Sequence, residues 1–270
     1  MDPLNYQEYL DFALDLAEAA AAQIMPHYLN HTVSFKADGT EVTVADREAE
    51  LVMRELIRSR YPTHSIWGEE YGLEEASSAY RWVLDPVDGT SWFTLGVPLF
   101  GTLIALVQEE DPLVGVIHLP VVQETVYAAK GLGCWFKTPS HLPSRIQVET
   151  VTELQQARVS SSGLHGSTLR LEDGHTAYDL PGLIQQAGKF KICGDCSQYT
   201  LVCRGKIHAA VDTVMKPWDI AALVPCVEEA GGKVTSLSGQ RERILEGGSL
   251  LASCGSPLHE QILEQLQPTA

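Results

Sequence analysis

Two helical patterns of apolar positions open the chain. Over residues 5–29, Tyr6, Tyr9, Leu10, Ala13, Leu14, Leu16, Ala17 and Ala20 recur near a 3.6-residue period, and the alanines at 19–22 add helix propensity. Pro26 ends or bends this helix, because proline lacks the amide donor and its ring crowds the preceding turn. A short strand-like segment at 33–36 and a turn at 37–40 lead into a second helix over 44–60. Its apolar side is read as Leu51, Val52, Leu56 and Ile57, with the charges opposite.

The pattern then shortens to apolar runs of strand length. Residues 64–68, 80–84, 101–108, 113–119, 124–129 and 134–136 read as strands, and Gly131-Leu132-Gly133 as a hairpin turn. The brief connections between most of them favour antiparallel pairing. From 137 to 152 periodicity fades and two prolines appear, which marks a boundary between residues 1–145 and 146–270. Beyond it, strands at 157–160, 190–193, 206–211 and 233–237 alternate with helices at 182–188, 196–204, 218–230 and 257–266, a βαβ-like order. The stretch 163–180 reads as a surface loop. The expected class is therefore mixed α/β (α+β), an antiparallel N-terminal half followed by an α/β C-terminal half.

Composition narrows the partners. With 35 acidic against 19 basic residues, the formal charge is −16, a field that repels nucleic acid and anionic membranes. It also repels an anionic substrate unless bound cations reverse the local sign. Neither a signal-peptide pattern at the N-terminus nor an 18-residue apolar run is found, so a cytoplasmic protein is expected. Of the six cysteines, Cys193 and Cys196 have CxxC spacing, but no second pair accompanies them, and the thiols are read as buried or incidental.

The chemistry concentrates in Leu84-Asp85-Pro86-Val87-Asp88-Gly89-Thr90. Two carboxylates three residues apart at a strand end, with Pro86 fixing the backbone between them, suit a hard cation that takes carboxylate and carbonyl oxygens. Gly89 allows a close approach and offers backbone N–H groups to a phosphate. A plain Asx turn is the alternative reading of the same residues. Three further acids stand at element ends: Asp46 in the first turn of the second helix, Glu69 after the strand 64–68, and Asp219, where a helix N-cap is the competing use.

Gly68-Glu69-Glu70, Asp85 to Thr90, and Trp218 to Leu223 (WDIAAL), in this order, resemble the motifs of the inositol monophosphatase family of Mg2+-dependent phosphatases. The resemblance spans nearly the whole chain, Lys36 and the segment Thr43 to Asp46 included. It implies a layered αβαβα sandwich, a homodimer, and a small phosphate ester as substrate. It also implies two or three Mg2+ ions, with Mn2+ as a substitute, held by Glu69, Asp85, the Val87 carbonyl, Asp88 and Asp219. Asp46 and Thr90 would activate the attacking water with Glu69 also in the catalytic set, and Gly89, Thr90 and Ser91 would hold the phosphate.

For substrate choice, Gly194-Asp195-Cys196 followed by Tyr199 resembles the histidinol-phosphatase branch of that family, and Asp212 stands where members contact the leaving group. Two carboxylates would give an ammonium and an imidazole charge-assisted bonds that a neutral polyol cannot match. The competing use of Asp195 is as a cap on helix 196–204. Ser91-Trp92 departs from the Lys-Asn or Arg-Asn pair common in that branch. The other outcomes to weigh are an inositol-1-phosphatase or broad sugar-phosphate phosphatase, and an inactive metal- or phosphate-binding regulator.

Overall fold

The computed structural model describes residues 4–36, 39–171 and 177–267. Helix α1 (Leu4–Ile24) buries Tyr9, Leu10, Phe12, Ala13, Leu16, Ala17, Ala20 and Ile24, close to the expected stripe, and gives way to a 3-10 turn that contains Pro26. Strands β1 (Ser34–Phe35) and β2 (Glu41–Val42) form a small ribbon. In the turn between them Gly39 has φ +85°, a left-handed conformation natural to glycine, while Ala37 and Asp38 of the expected turn lie outside the described residues. Helix α2 (Val44–Arg60) follows over the expected range.

Its buried face shares Ile57 with the expected one but otherwise differs. Leu51 and Leu56 are exposed, whereas Ala45, Asp46, Ala49, Glu50, Met53, Arg54 and Ile57 turn inward. The aliphatic positions of α2 lie on more than one side, so hydrophobicity alone does not choose; the three buried charges have partners only on the inner face, and that face wins.

Eight strands form the larger sheet: β3 (Ser65–Gly68), β4 (Gly72–Glu74), β5 (Tyr80–Asp88), β6 (Gly101–Gln108), β7 (Asp111–Leu119), β8 (Glu124–Ala129), β9 (Gly133–Thr138) and β10 (His141–Ile146), in the order β10-β9-β8-β7-β6-β5-β3-β4. Helix α3 (Thr90–Thr94) interrupts the run after β5. Pairing is antiparallel throughout except for β3 beside β5. Strand β10 falls within the stretch that lacks periodicity. Its side chains are nearly all exposed, so no inward–outward alternation marks it, and Pro143 is tolerated because β10 is an edge strand with a register shift between His141 and Ser144.

The C-terminal sheet is built from β11 (Arg158–Ser161), β12 (Lys189–Ile192), β13 (Ala209–Asp212), β14 (Lys233–Thr235) and β15 (Leu250–Ser253), in the order β12-β11-β13-β15-β14. Strands β11, β12 and β13 are parallel, as βαβ order requires, but β15 is antiparallel to both of its neighbours. It was not anticipated: all four of its residues are buried, so it lacks the alternation by which a half-buried strand is read. Around this sheet lie α4 (Leu180–Gln186), α5 (Asp195–Cys203), α6 (Pro217–Ala221), α7 (Leu223–Glu229) and α8 (Leu258–Gln265). The single helix expected over 218–230 is broken between α6 and α7. Pro225 accounts for this, since it cannot donate to the Ala221 carbonyl four residues back, where α6 ends.

Three apolar cores join these elements into an αβαβα sandwich. One lies between α1, α2 and the large sheet; the second between that sheet and α5, α6 and α7; the third between the smaller sheet and α4 and α8. Among the described residues no helix is long and apolar enough to cross a membrane.

Candidate active site

The two carboxylates of the central motif lie within β5 rather than beyond it, while Gly89 and Thr90 begin α3. The strand continues to Asp88 through a bulge between Asp85 and Asp88, where Pro86 sits and its carbonyl accepts a bond from Thr102 Oγ1 at 2.8 Å. A bulge re-aims side chains. Here carboxylate oxygens of Asp85, Asp88 and Asp219 come within 4.8 Å of one another. Asp219 arrives from the other side as the third residue of α6, not as its N-cap, and its Oδ2 accepts from the Lys216 N–H at 2.7 Å.

Glu69 reaches the cluster from the turn after β3. Its backbone N–H bonds the Leu84 carbonyl at 3.1 Å, which ties the turn to β5, and its side chain hydrogen-bonds Asp85. Lys36 Nζ lies 2.8 Å from Glu69 Oε1 and 2.6 Å from Glu70 Oε1. Burial opposes the charge of Lys36, but these two acids outweigh it and hold its ammonium well above the usual range.

The acids outnumber that one cation. Burial first, then repulsion from Glu69, Asp88 and Asp219, pushes the carboxyl of Asp85 far above its ordinary value; burial, then Asp195 and Asp219, does the same to Asp88. Asp219 is raised to about 7, chiefly by burial. Asp85 Oδ1 is buried without a hydrogen-bond partner. A buried carboxylate oxygen left unpaired among like charges is costly unless a cation sits against it. Because the donors are all hard oxygens, the set fits Mg2+ or Mn2+ and not a thiolate-seeking metal. Cys193 and Cys196 do not enter it; the six cysteines are free thiols, and all but Cys193 are buried.

At the start of α2, Asp46 Oδ2 accepts from both the N–H of Thr43 (2.8 Å) and its hydroxyl (2.6 Å), closing a capping box. The other oxygen, Oδ1, is 3.3 Å from Thr90 Oγ1, which is itself 3.1 Å from the Val87 carbonyl. Burial raises the carboxyl pKa of Asp46 against the two Thr43 bonds. Gly89 caps α3 with φ +85°, so Thr90, Ser91 and Trp92 form the first turn directly after the acids. Ser91 is exposed, and its carbonyl accepts from Thr94 Oγ1 at 3.0 Å and from the Leu95 N–H at 3.1 Å.

Asp195 and Asp212 belong to the facing wall. Asp195 opens α5 without capping it, and a Cβ on Gly89 would come within 2.8 Å of its Oδ2, so Asp195 stands directly over the motif. The Trp92 side chain hydrogen-bonds Asp195, which gives the departure from the basic-residue pattern a local use. Burial, then Asp212 and Asp219, raises Asp195 to about 7. The next residue helps hold the cluster, because the Cys196 N–H donates to Asp88 Oδ2 at 2.6 Å. A cavity of about 290 Å³, lined by Ser162, Gly163, His165, Asp195, Thr213 and Val214, opens beside it.

Asp212 is differently placed. Its Oδ1 accepts from Ser162 N (3.0 Å) and Oγ (2.5 Å), and its Oδ2 from Gln198 Nε2 (2.7 Å) and Tyr199 OH (2.8 Å). Ser162 and Gln198 carried no sequence signal strong enough to single them out, and Trp92 stood out only as a departure from a pattern. They are polar or aromatic residues whose importance arises from what they bond.

The inositol monophosphatase family model matches residues 5–269. A histidinol-phosphatase of Chlorobaculum parvum is 35% identical over 246 residues, 90% of this chain and 91% of that one. A second, from Mycobacterium tuberculosis, is 35% identical over 259 residues, 95% of this chain and 97% of the other. The solved inositol monophosphatase of Zymomonas mobilis superposes with a TM-score of 0.83 at 29% identity, covering 97% of this chain and 99% of that one. A carboxylate cluster built for a hard cation, on this sandwich and with relatives matched end to end, leads to one assignment: the chain belongs to the inositol monophosphatase family and is a metal-dependent phosphomonoesterase.

Proposed function

We propose that the enzyme hydrolyses L-histidinol phosphate to L-histidinol and phosphate, a step of histidine biosynthesis. The observation that carries this reading is Asp195, a half-buried acid above Gly89 that lines the 290 Å³ cavity and whose pKa is raised by burial and by the neighbouring acids Asp212 and Asp219. A substrate bearing an ammonium and an imidazole supplies a positive charge facing this acid, whereas a neutral polyol leaves that charge uncompensated. The full-length similarity to histidinol-phosphatases supports the same choice. Asp212, with both oxygens engaged, is proposed to act by holding Ser162 and Tyr199 and by adding negative potential.

Glu69, Asp85, the Val87 carbonyl, Asp88 and Asp219 are proposed to hold the Mg2+, as two or three ions, with Mn2+ able to substitute. When bound, the metal neutralises charge on the phosphoryl group and makes a water more acidic. Thr90 Oγ1 then takes the water's proton while passing its own to Asp46 Oδ1, whose raised pKa suits a base and whose other oxygen Thr43 fixes. The water oxygen bonds to phosphorus as the bond to the alcohol oxygen breaks, the departing alkoxide takes a proton from solvent, and the backbone of Gly89, Thr90 and Ser91 holds the phosphoryl oxygens. We place this chemistry between two halves, residues 1–145 and 146–270, of a cytoplasmic homodimer.

The test compares kcat/KM for L-histidinol phosphate and inositol 1-phosphate in wild type and Asp195→Ala. A wild-type preference for histidinol phosphate that Asp195→Ala cuts about a hundredfold is expected, since one buried charged bond is worth roughly 2–3 kcal/mol. Equal wild-type rates would assign the enzyme to inositol or sugar phosphates instead. Equal losses on both substrates in the variant would reduce Asp195 to a structural residue.

A further inference from the structure

The turn that carries Glu69 is bound to α2 by charges that the reaction itself does not need. Asp46, Glu50 and Arg54 stand at i, i+4 and i+8 of α2, so they line one face, and they are 1%, 0% and 2% exposed. The first belongs to the site. The other two do not touch it, and a buried acid and base on a helix face call for an account, because taking both out of water costs more than a surface pair returns.

Their partners give that account. Glu50 Oε2 accepts from the Glu70 N–H at 2.7 Å, and Oε1 from the Tyr71 N–H at 3.2 Å and from Arg54 Nε at 2.8 Å. Arg54 passes on to the Gly72 carbonyl at 2.5 Å and to Glu74 Oε2 at 3.2 Å. Four contacts along residues 70–74, at Glu70, Tyr71, Gly72 and Glu74, therefore end on two side chains of α2. Gly68 fits the same arrangement: a Cβ there would fall inside the Glu50 carboxylate, so only glycine lets that carboxylate lie against the strand end. Glu69 is thus held on both sides, its own N–H on Leu84 O and the following N–H, of Glu70, on Glu50 Oε2.

We propose that Glu50, braced by Arg54, is a positioning residue for Glu69, fixing the turn so that its carboxylate is presented to Asp85 and the cation at the right height. The stripe Asp46–Glu50–Arg54 makes α2 a ruler: its first turn holds the carboxylate that pairs with Thr90, and its second and third hold the turn that delivers Glu69. This inference rests on Glu69 being a metal-binding residue. Partners outside the coordination shell commonly set metal affinity or activity by 10–100-fold when removed, which fixes the scale expected of the test.

Glu50→Gln is the sharp variant. Its amide keeps one acceptor for Tyr71 N–H and Arg54 but turns an NH2 group toward the Glu70 N–H, so the bond next to Glu69 is the one lost. Mg2+ binding to the variant is measured by calorimetry, and the Mg2+ concentration for half-maximal phosphatase activity by titration, with Glu69→Gln as reference and unfolding midpoints recorded for all. We expect Glu50→Gln to weaken Mg2+ binding and raise the half-activating concentration roughly tenfold or more, with kcat at saturating Mg2+ recovering toward wild type. Wild-type Mg2+ affinity in a folded Glu50→Gln overturns the proposal, whatever its midpoint. If Glu50→Gln does not fold, Gly68→Ala, which displaces the same carboxylate from the opposite side, must show the Mg2+ defect or the proposal fails. Should Glu69→Gln itself bind Mg2+ as wild type does, the reading of Glu69 as a ligand falls, and this inference with it; a defect in Glu69→Gln alone removes only the role of Glu50.

Discussion

Asp85 and Asp212 are both buried aspartates in strands that end at the same cleft, one in each sheet, yet they are opposites. Asp212 has four donors on its two oxygens, and Asp85 has an oxygen with none. Burial raises the pKa of both; at Asp212 the bonds from Ser162, Tyr199 and Gln198 pull it back, while at Asp85 every further contribution comes from another acid. A buried carboxylate that the protein satisfies is part of the scaffold, and one that the protein leaves unsatisfied is reserved for a ligand. The difference separates the wall that shapes the cleft from the cluster that performs chemistry in it.

Asparagine tests the distinction, since it keeps shape and removes charge. Asp85→Asn is expected to lower kcat/KM about a thousandfold, several kcal/mol of charge stabilisation being lost with the metal, while the unfolding midpoint of the metal-free protein rises because repulsion from Glu69, Asp88 and Asp219 is relieved. Asp212→Asn should do the reverse on stability. Its amide must present an NH2 to one of its present donors, costing about 2 kcal/mol in denaturant unfolding. A fall in metal-free stability in both variants would break the comparison and make the two acids equivalent.

The unsatisfied cluster was the legible part. Ligand chemistry dictates oxygen donors, so Glu69, Asp85, Asp88 and Asp219 must be acids and stand out in the sequence wherever a strand or helix begins or ends. What supports them was not legible. Glu50 and Arg54 look like ordinary helix-surface charges, and Leu51 and Leu56 look like core, until the turn at 70–74 arrives from elsewhere in the chain to pair with the former and leave the latter outside. Strands are missed for two contrary reasons: β15 is buried on both faces and β10 on neither, and alternation, the signal that finds strands, needs one face of each. The sequence left Asp195 open between a cap and a substrate contact; the fold makes Gly194 the N-cap and brings in the indole of Trp92, a partner that spacing along the chain does not reveal.

The pH dependence of stability divides the molecule in a second way. Without metal, Asp219 titrates at about 7 when folded and near 3.8 when not, so the native state binds more protons in between. Its contribution is present below 3.8 and is lost as pH rises through about 7; metal-free protein should therefore unfold at a lower denaturant concentration at pH 8 than at pH 5. Saturating Mg2+ should remove that decline at pH 8. A chelated sample with the same midpoint at both values would mean that the cluster is not strained by its own charge.

Behind the smaller sheet, His259 has the opposite sign. It is fully buried between Thr235 Oγ1, 2.9 Å from Nε2, and Ser253 Oγ, 2.8 Å from Nδ1. Burial, with Lys233 acting the same way, lowers its pKa from 6.5 to about 4. The folded state thus binds fewer protons than the unfolded one between those values, and the neutral ring's contribution is present above 6.5 and lost as pH falls toward about 4. That amounts to about 3 kcal/mol over the interval. His259→Gln cannot take up the proton, so the stability gap between wild type and variant, read by denaturant unfolding at pH 7 and again at pH 4.5, should shrink in acid. Because the acid cluster is common to both proteins it cancels from that gap. Parallel profiles would show that the ring accepts a proton in place, with a hydroxyl turning to receive it, and would leave the carboxylate cluster as the one pH-sensitive part of the comparison.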